Sequence, residues 1–195
     1  DYVLICGDCG AVWDGAGFDR YIQRYWKNKN WTTLYVDGNH ENFDILNSLP
    51  VEEWCGGKIH RVSESVIHLM RGQVFDIDGH KIFTMGGASS HDKIYRKEGV
   101  SWWKAELPSE EEYNEALKNL EKHNNTVDYV VTHCVSSEVQ DLISAGSYEK
   151  DELTGFLKLI DKDVSFKHWY FGHYHKDLEV DNKHTALYQN VIQLW

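Results

Sequence analysis

Thr32-Thr33-Leu34-Tyr35-Val36-Asp37-Gly38-Asn39-His40-Glu41 is the stretch on which the fold turns. Its first five residues are a continuous β-branched and apolar run, the pattern of a strand buried on both faces. A glycine and a group of metal-capable side chains follow at once. The same design recurs along the chain. Tyr2-Val3-Leu4-Ile5-Cys6 runs into Gly7-Asp8, residues 127–132 run into His133, and residues 168–171 run into Gly172-His173-Tyr174-His175. In α/β sheets ligands bind at the carboxyl ends of strands, so parallel pairing would bring these four ends to one edge.

Helical spacing is read between the strands, over residues 18–28, 41–49, 109–123, 137–145 and 151–159. Ser109 and Glu112, three apart and just after Pro108, form a capping-box pattern. Asp78-Gly79, between residues 73–77 and 81–85, is a hairpin turn signal. Residues 179–180, a turn at 181–182 and residues 185–194 read as a second strand–turn–strand unit. Alternating strands and helices with added hairpins indicate an α/β fold with mixed sheets. Only two prolines occur and no linker-like stretch divides the chain, so residues 1–195 read as one domain.

The 195 residues suffice for a sizeable core, and 42% hydrophobic with 26% charged residues is a globular profile. No apolar run approaches membrane-spanning length. A net charge of −11 sets a repulsive field against nucleic acid and anionic membrane. Bound divalent cations can reverse that field locally, which leaves room for a small phosphorylated substrate. The four cysteines, Cys6, Cys9, Cys55 and Cys134, lack the spacing of a secreted disulfide framework, so a cytoplasmic location is expected.

The residues at the strand ends suit a hard-to-borderline divalent ion, with imidazole for zinc or iron and carboxylate for manganese as well. Taken singly, each Gly-His or Asn-His pair reads as a turn. Taken jointly, each after its own buried strand, they read as a metal site.

In order, Gly7-Asp8, Gly38-Asn39-His40-Glu41, Thr132-His133 and Gly172-His173-x-His175 resemble the signature of the calcineurin-like metallophosphoesterase superfamily. The second and fourth blocks are specific, and the resemblance spans nearly the whole chain. Gly86-Gly87-Ala88, Trp102-Trp103 and Asp128-Tyr129 further resemble a group of small bacterial members. The resemblance implies a sandwich of two mixed β-sheets flanked by helices in α-β-β-α layers. It implies two divalent ions (Mn, Fe or Zn), with Asp8 bridging both. Asn39, His133 and His173 would complete one site, and His175 would belong to the other. A hydroxide held between the ions would attack phosphorus. His40 would bind no metal and would stabilise or protonate the leaving oxygen. The resemblance thus implies a phosphoesterase acting on mono- or diesters; the alternative is an inactive metal-binding scaffold or regulatory protein of the same fold.

Two departures from the pattern stand out. The family begins with an Asp-x-His motif on a first strand, and none precedes Gly7-Asp8. A first strand upstream of Asp1 is therefore expected, and without it the second ion has only Asp8 and His175. Cys9-Gly10-Ala11 follows Asp8 where the protein Ser/Thr phosphatase branch has further Asp and Arg residues, which argues against that branch.

Residues 89–108 form a long connection, a length that is often functional. It is either a lid presenting Lys93 or Arg96 to phosphate and the tryptophans to an aromatic leaving group, or a cover for the sheet with solvated cations. The cover is the preferred reading for Trp102 and Trp103, and Arg96 stays a candidate substrate contact. Cys6-x-x-Cys9 matches a redox pair, but the scarcity of prolines argues against a thioredoxin-like loop, and Cys6 reads as a core residue. His60, His68, His80, His123, His168 and His184 have no partnered spacing and read as surface or satisfied core histidines.

Overall fold

The computed structural model describes residues 1–195. Two sheets face each other. The first contains β1 (Tyr2–Ile5), β2 (Thr32–Tyr35), β3 (Val51–Trp54), β4 (Gly57–Ser63) and β5 (Val66–Leu69), in the order β1-β2-β5-β4-β3. The second contains β6 (Gln73–Ile77), β7 (His80–Met85), β8 (Tyr129–Thr132), β9 (His168–Phe171), β10 (Leu178–Glu179) and β11 (His184–Ala186), in the order β10-β11-β9-β8-β7-β6. Both are mixed. β1, β2 and β5 run parallel, as do β7, β8, β9 and β11, while β3–β4, β4–β5, β6–β7 and β10–β11 pair antiparallel.

The alternation of side chains along each strand sorts the core into three layers. Leu34, Ile67 and Leu69 of the first sheet meet Phe75, Ile82 and Val131 of the second in the middle layer. Val130, Phe83 and Trp169 point the other way, onto the helices α3 (Glu110–Lys122), α4 (Ser137–Ser144) and α5 (Glu152–Asp163). On the far side of the first sheet, Tyr35 and Val66 pack with Phe43 and Leu46 of α2 (Phe43–Leu46) and with Ala11, Val12 and Trp103. α1 (Gly17–Lys27) flanks that layer through half-buried Trp26. The result is the α-β-β-α sandwich that the resemblance implied. No helix is long and apolar enough to cross a membrane.

The capping box forms as read, with Glu112 N–H donating to Ser109 Oγ and Ser109 N–H donating to the Glu112 carboxylate. Three expectations need correction. Residues 41–49 hold only one helical turn, Phe43–Leu46, because Asn42 caps it by accepting from Ile45 N–H and Asn39–Glu41 are committed to the site loop. Residues 185–194 contain a strand only over His184–Ala186. From residue 187 the chain is irregular, and Asp177 accepts backbone N–H groups from Tyr188, Gln189 and Asn190. The functional strand ends do not lie along one sheet edge: β1 and β2 bring two from one sheet, β8 and β9 two from the other.

Candidate metal centre

These strand ends meet at one end of the sandwich. Asp8, Asn39, His133 and His173 stand together there because glycines let the backbones touch. A Cβ on Gly38 would fall inside the Asp8 carboxylate, one on Gly7 inside the His133 ring, and one on Gly172 against Cys6 O. Asp8, His173 and His175 have left-handed backbones, at φ 54°, 65° and 49°. Non-glycine residues hold that region at a cost of about 1–3 kcal/mol each, and such strain concentrates at functional sites.

His133 shows what the cluster can hold. Its ring is buried, and Nδ1 lies 2.7 Å from Cys6 O, which can only accept. Nδ1 therefore carries hydrogen, and Nε2 of the neutral ring offers a lone pair. That lone pair faces Asn39 Oδ1 at 3.2 Å and Asp8 Oδ2 at 3.4 Å, both acceptors. Three acceptors converging on one point require a cation among them. A proton can serve: burial disfavours the charged ring, but the Asp8 carboxylate, the Cys6 carbonyl and the Asp37 charge together raise the His133 pKa. A divalent ion satisfies the same three atoms, so the donor set fits a metal.

His173 completes the group, its ring centroid 5.0 Å from that of His133. Burial and the neighbouring His133 push its pKa down to about 3, so it too offers a lone pair. His175 stacks on Tyr188 at 4.8 Å and lines the same cleft. The side chains are not closed into a finished coordination sphere, for no three His, Cys, Asp or Glu residues are grouped as ligands. The tight cluster is Asp8, Asn39 and His133, and one of its donors is an amide.

The cleft in front of these donors measures about 290 Å³. His40 and Arg96 line it together, with Arg96 Nη1 3.1 Å from His40 Nδ1. Asp92 fixes the guanidinium through Nε at 2.8 Å, and Ser101 O accepts from Nη1 at 3.1 Å. His40 N–H donates to Asp8 Oδ1 at 2.9 Å, so the carboxylate orients the backbone that carries the histidine. A wider apolar groove of about 700 Å³, bounded by β1 and the irregular residues 187–195, meets the cluster at Asp8, His133, His173 and His175.

Sequence reading missed the support beneath the loop. Asp37 is buried between Arg71 (Nε 2.9 Å, Nη2 2.6 Å) and His68 (Nε2 3.0 Å). Burial pushes the Asp37 carboxyl up, but Arg71 and His68 pull it below the usual carboxylate range. Arg71 also reaches Glu112 and the carbonyls of Ala105 and Glu106. It thereby ties the loop after β2 to residues 89–108 and to α3. Within that connection Trp103 is buried and donates to Asp44 at 2.8 Å, as the cover reading expects. Lys93 is held by Glu106 rather than offered to the cleft. Cys6 and Cys9 are free thiols whose pKa values burial raises, Cys6 to about 12, so neither is poised for redox chemistry.

The sequence model of the calcineurin-like phosphoesterase family matches residues 1–177. The chain belongs to that family. No curated protein matches the chain. Family members are generally phosphoesterases with a pair of divalent ions.

Proposed function

We propose that this calcineurin-like phosphoesterase is an active hydrolase of phosphate mono- or diesters on small substrates, using two divalent ions (Mn, Fe or Zn). Asn39, His133 and His173 would hold one ion, His175 the other, and Asp8 both. When bound, such ions activate water at neutral pH and offset charge on phosphate oxygens.

The contact between Arg96 and His40 carries this reading, because a metal-storing scaffold needs neither residue. Arg96 can only donate, so His40 Nδ1 accepts and the hydrogen of the neutral ring lies on Nε2. His40 is thereby set as a donor to the leaving-group oxygen. Nε and Nη1 of Arg96 are engaged within the protein, while Nη2 has no protein partner and suits a phosphate oxygen. The cleft that holds them is also lined by Asp8, Asn39, His173 and His175.

The test is hydrolysis of an aryl phosphate monoester and diester with Mn, Fe or Zn supplied, for the wild type and His40→Ala, with metal content measured alongside. The reading expects His40→Ala to lose turnover while keeping its metal. Parallel loss of both would remove His40 from the chemistry. Metal uptake without hydrolysis under any ion would favour the scaffold.

A further inference from the structure

Asn39 is the one candidate ligand whose usefulness depends on which way an amide is turned. Only Oδ1 can bind a cation; the amide nitrogen, turned inward, would repel it. Asn39 Nδ2 lies 3.1 Å from Ser90 Oγ. Ser90 Oγ in turn lies 2.8 Å from Glu106 Oε2, and Ser90 N–H donates to Glu106 Oε1 at 2.9 Å. All three residues are buried, at 5%, 5% and 0% exposure in the order Asn39, Ser90, Glu106. Lys93 pairs with Glu106 Oε1 at 2.5 Å, beside the Ser90 N–H on the same oxygen, so the carboxylate is met by donors. Arg71 holds the neighbouring carbonyls of Ala105 and Glu106.

We infer that Ser90 and Glu106 are positioning residues that set the Asn39 amide with its oxygen toward the metal. The polarity of the chain is forced from its far end. An ionised carboxylate accepts only, so the Ser90 hydroxyl must give its hydrogen to Glu106. The hydroxyl oxygen is then left to accept, and only the Asn39 NH2 can supply that bond. Oδ1 is thus turned to the other side, where it faces His133 Nε2 at 3.2 Å. This builds on the proposal that Asn39 is a ligand, and it gives residues 89–108 a task beyond covering the sheet.

An isosteric change separates orientation from packing. In Glu106→Gln the side chain can donate to Ser90, the hydroxyl can donate to Asn39 Oδ1, and the amide can turn its nitrogen inward. Metal-free wild type, Glu106→Gln, Ser90→Ala and Ser90→Thr would be titrated with Co²⁺, following affinity and the visible ligand-field spectrum, with the melting temperature of each metal-free protein measured alongside. Removing an outer partner of a ligand weakens metal affinity by about 10–100-fold, and that loss is expected in Glu106→Gln and Ser90→Ala. An altered Co²⁺ spectrum is expected in both, and Ser90→Thr, which keeps the hydroxyl, should restore wild-type affinity. Wild-type affinity and spectrum in Ser90→Ala and Glu106→Gln would overturn the inference, even if their melting temperatures fell. If Glu106→Gln fails to fold, Ser90→Ala against Ser90→Thr decides alone. Failure of the wild type to take up Co²⁺ or Mn²⁺ would instead remove the metal centre itself.

Discussion

Arg96 Nη1 lies 3.1 Å from His40 Nδ1, across 56 residues of sequence and inside one cleft. A planar fork fixed by Asp92 at one side and meeting an imidazole at the other is suited to receive phosphate on its remaining nitrogen. Arg96→Ala should therefore lower kcat/KM by about 10–100-fold, from loss of a charge-assisted contact worth roughly 1.5–3 kcal/mol. Arg96→Lys should recover little, because an ammonium cannot reach Asp92, His40 and phosphate at once. Steady-state kinetics on an aryl phosphate checks this; unchanged kcat/KM in Arg96→Ala would return Arg96 to a structural role.

The glycines at the strand ends make a second, sharper case. Gly7 has φ 97°, and a Cβ there would overlap the His133 ring. Gly155 lies inside α5 with open space around its would-be Cβ. Gly7→Ala should destabilise the fold and abolish metal uptake by displacing His133. Gly155→Ala should stabilise by up to about 1 kcal/mol, the helix-propensity gain of alanine over glycine. Thermal melts of both variants give the comparison, and a neutral Gly7→Ala would show that the site tolerates a shift it is built to forbid.

How much of this was readable beforehand follows from where each signal lives. Strand ends with glycine, Asp8, Asn39 and the three histidines are local patterns, and the structure brings all of them into one region. Arg96 and His40 each stand out in the sequence, but nothing in it links two positions so far apart, so their contact belongs to the fold alone. β3 and β4 escaped notice because Glu52, Glu53, Lys58, His60 and Arg61 break the apolar run. Their turn at Cys55-Gly56 also takes positive φ at both residues without an Asn-Gly or Asp-Gly mark. Arg71, Ser90 and Glu106 carry no pattern at all: a buried charge is chosen by partners that only the fold supplies. His60 and His68, read as core or surface, form a buried pair with Nδ1 atoms 3.2 Å apart, and His68 leans on Asp37.

Arg71 and Asp37 are each nearly inaccessible, with 5% and 1% of their side chains exposed. Arg71→Met would leave the Asp37 carboxylate buried with only His68 beside it. Breaking a buried pair at one partner costs about 3–5 kcal/mol, and the loss should appear in denaturant unfolding. Removing the Asp37 charge as well, in Arg71→Met with Asp37→Asn, should recover part of that loss. A double variant no more stable than Arg71→Met would show that the contacts of Arg71 to Ala105 and Glu106, not the charge pair, hold the loop.

His184 supplies the pH dependence. Nδ1 lies 2.9 Å from Asp181 Oδ1, and Nε2 lies 3.2 Å from Asp161 Oδ1, off the hydrogen-bonding direction and so an ionic contact. Burial lowers the His184 pKa, but the carboxylates of Asp161 and Asp181 outweigh burial and raise it above 6.5. The folded protein therefore holds this proton more tightly than the unfolded chain. The stabilisation is fully present below the unfolded pKa of about 6.5 and is lost as pH rises through the folded value. His184→Gln should cost most stability below the unfolded pKa of about 6.5 and progressively less as pH rises above it. At the acid end the sign reverses for the partners: Asp161 and Asp181 have lowered pKa values, so their contribution falls only when pH drops below the ordinary carboxylate range. Unfolding free energies of wild type and His184→Gln across this range test it. A difference that stays constant from pH 6 to 9 would mean that the ring is held by packing against Phe166 and Trp169 and not by its charge.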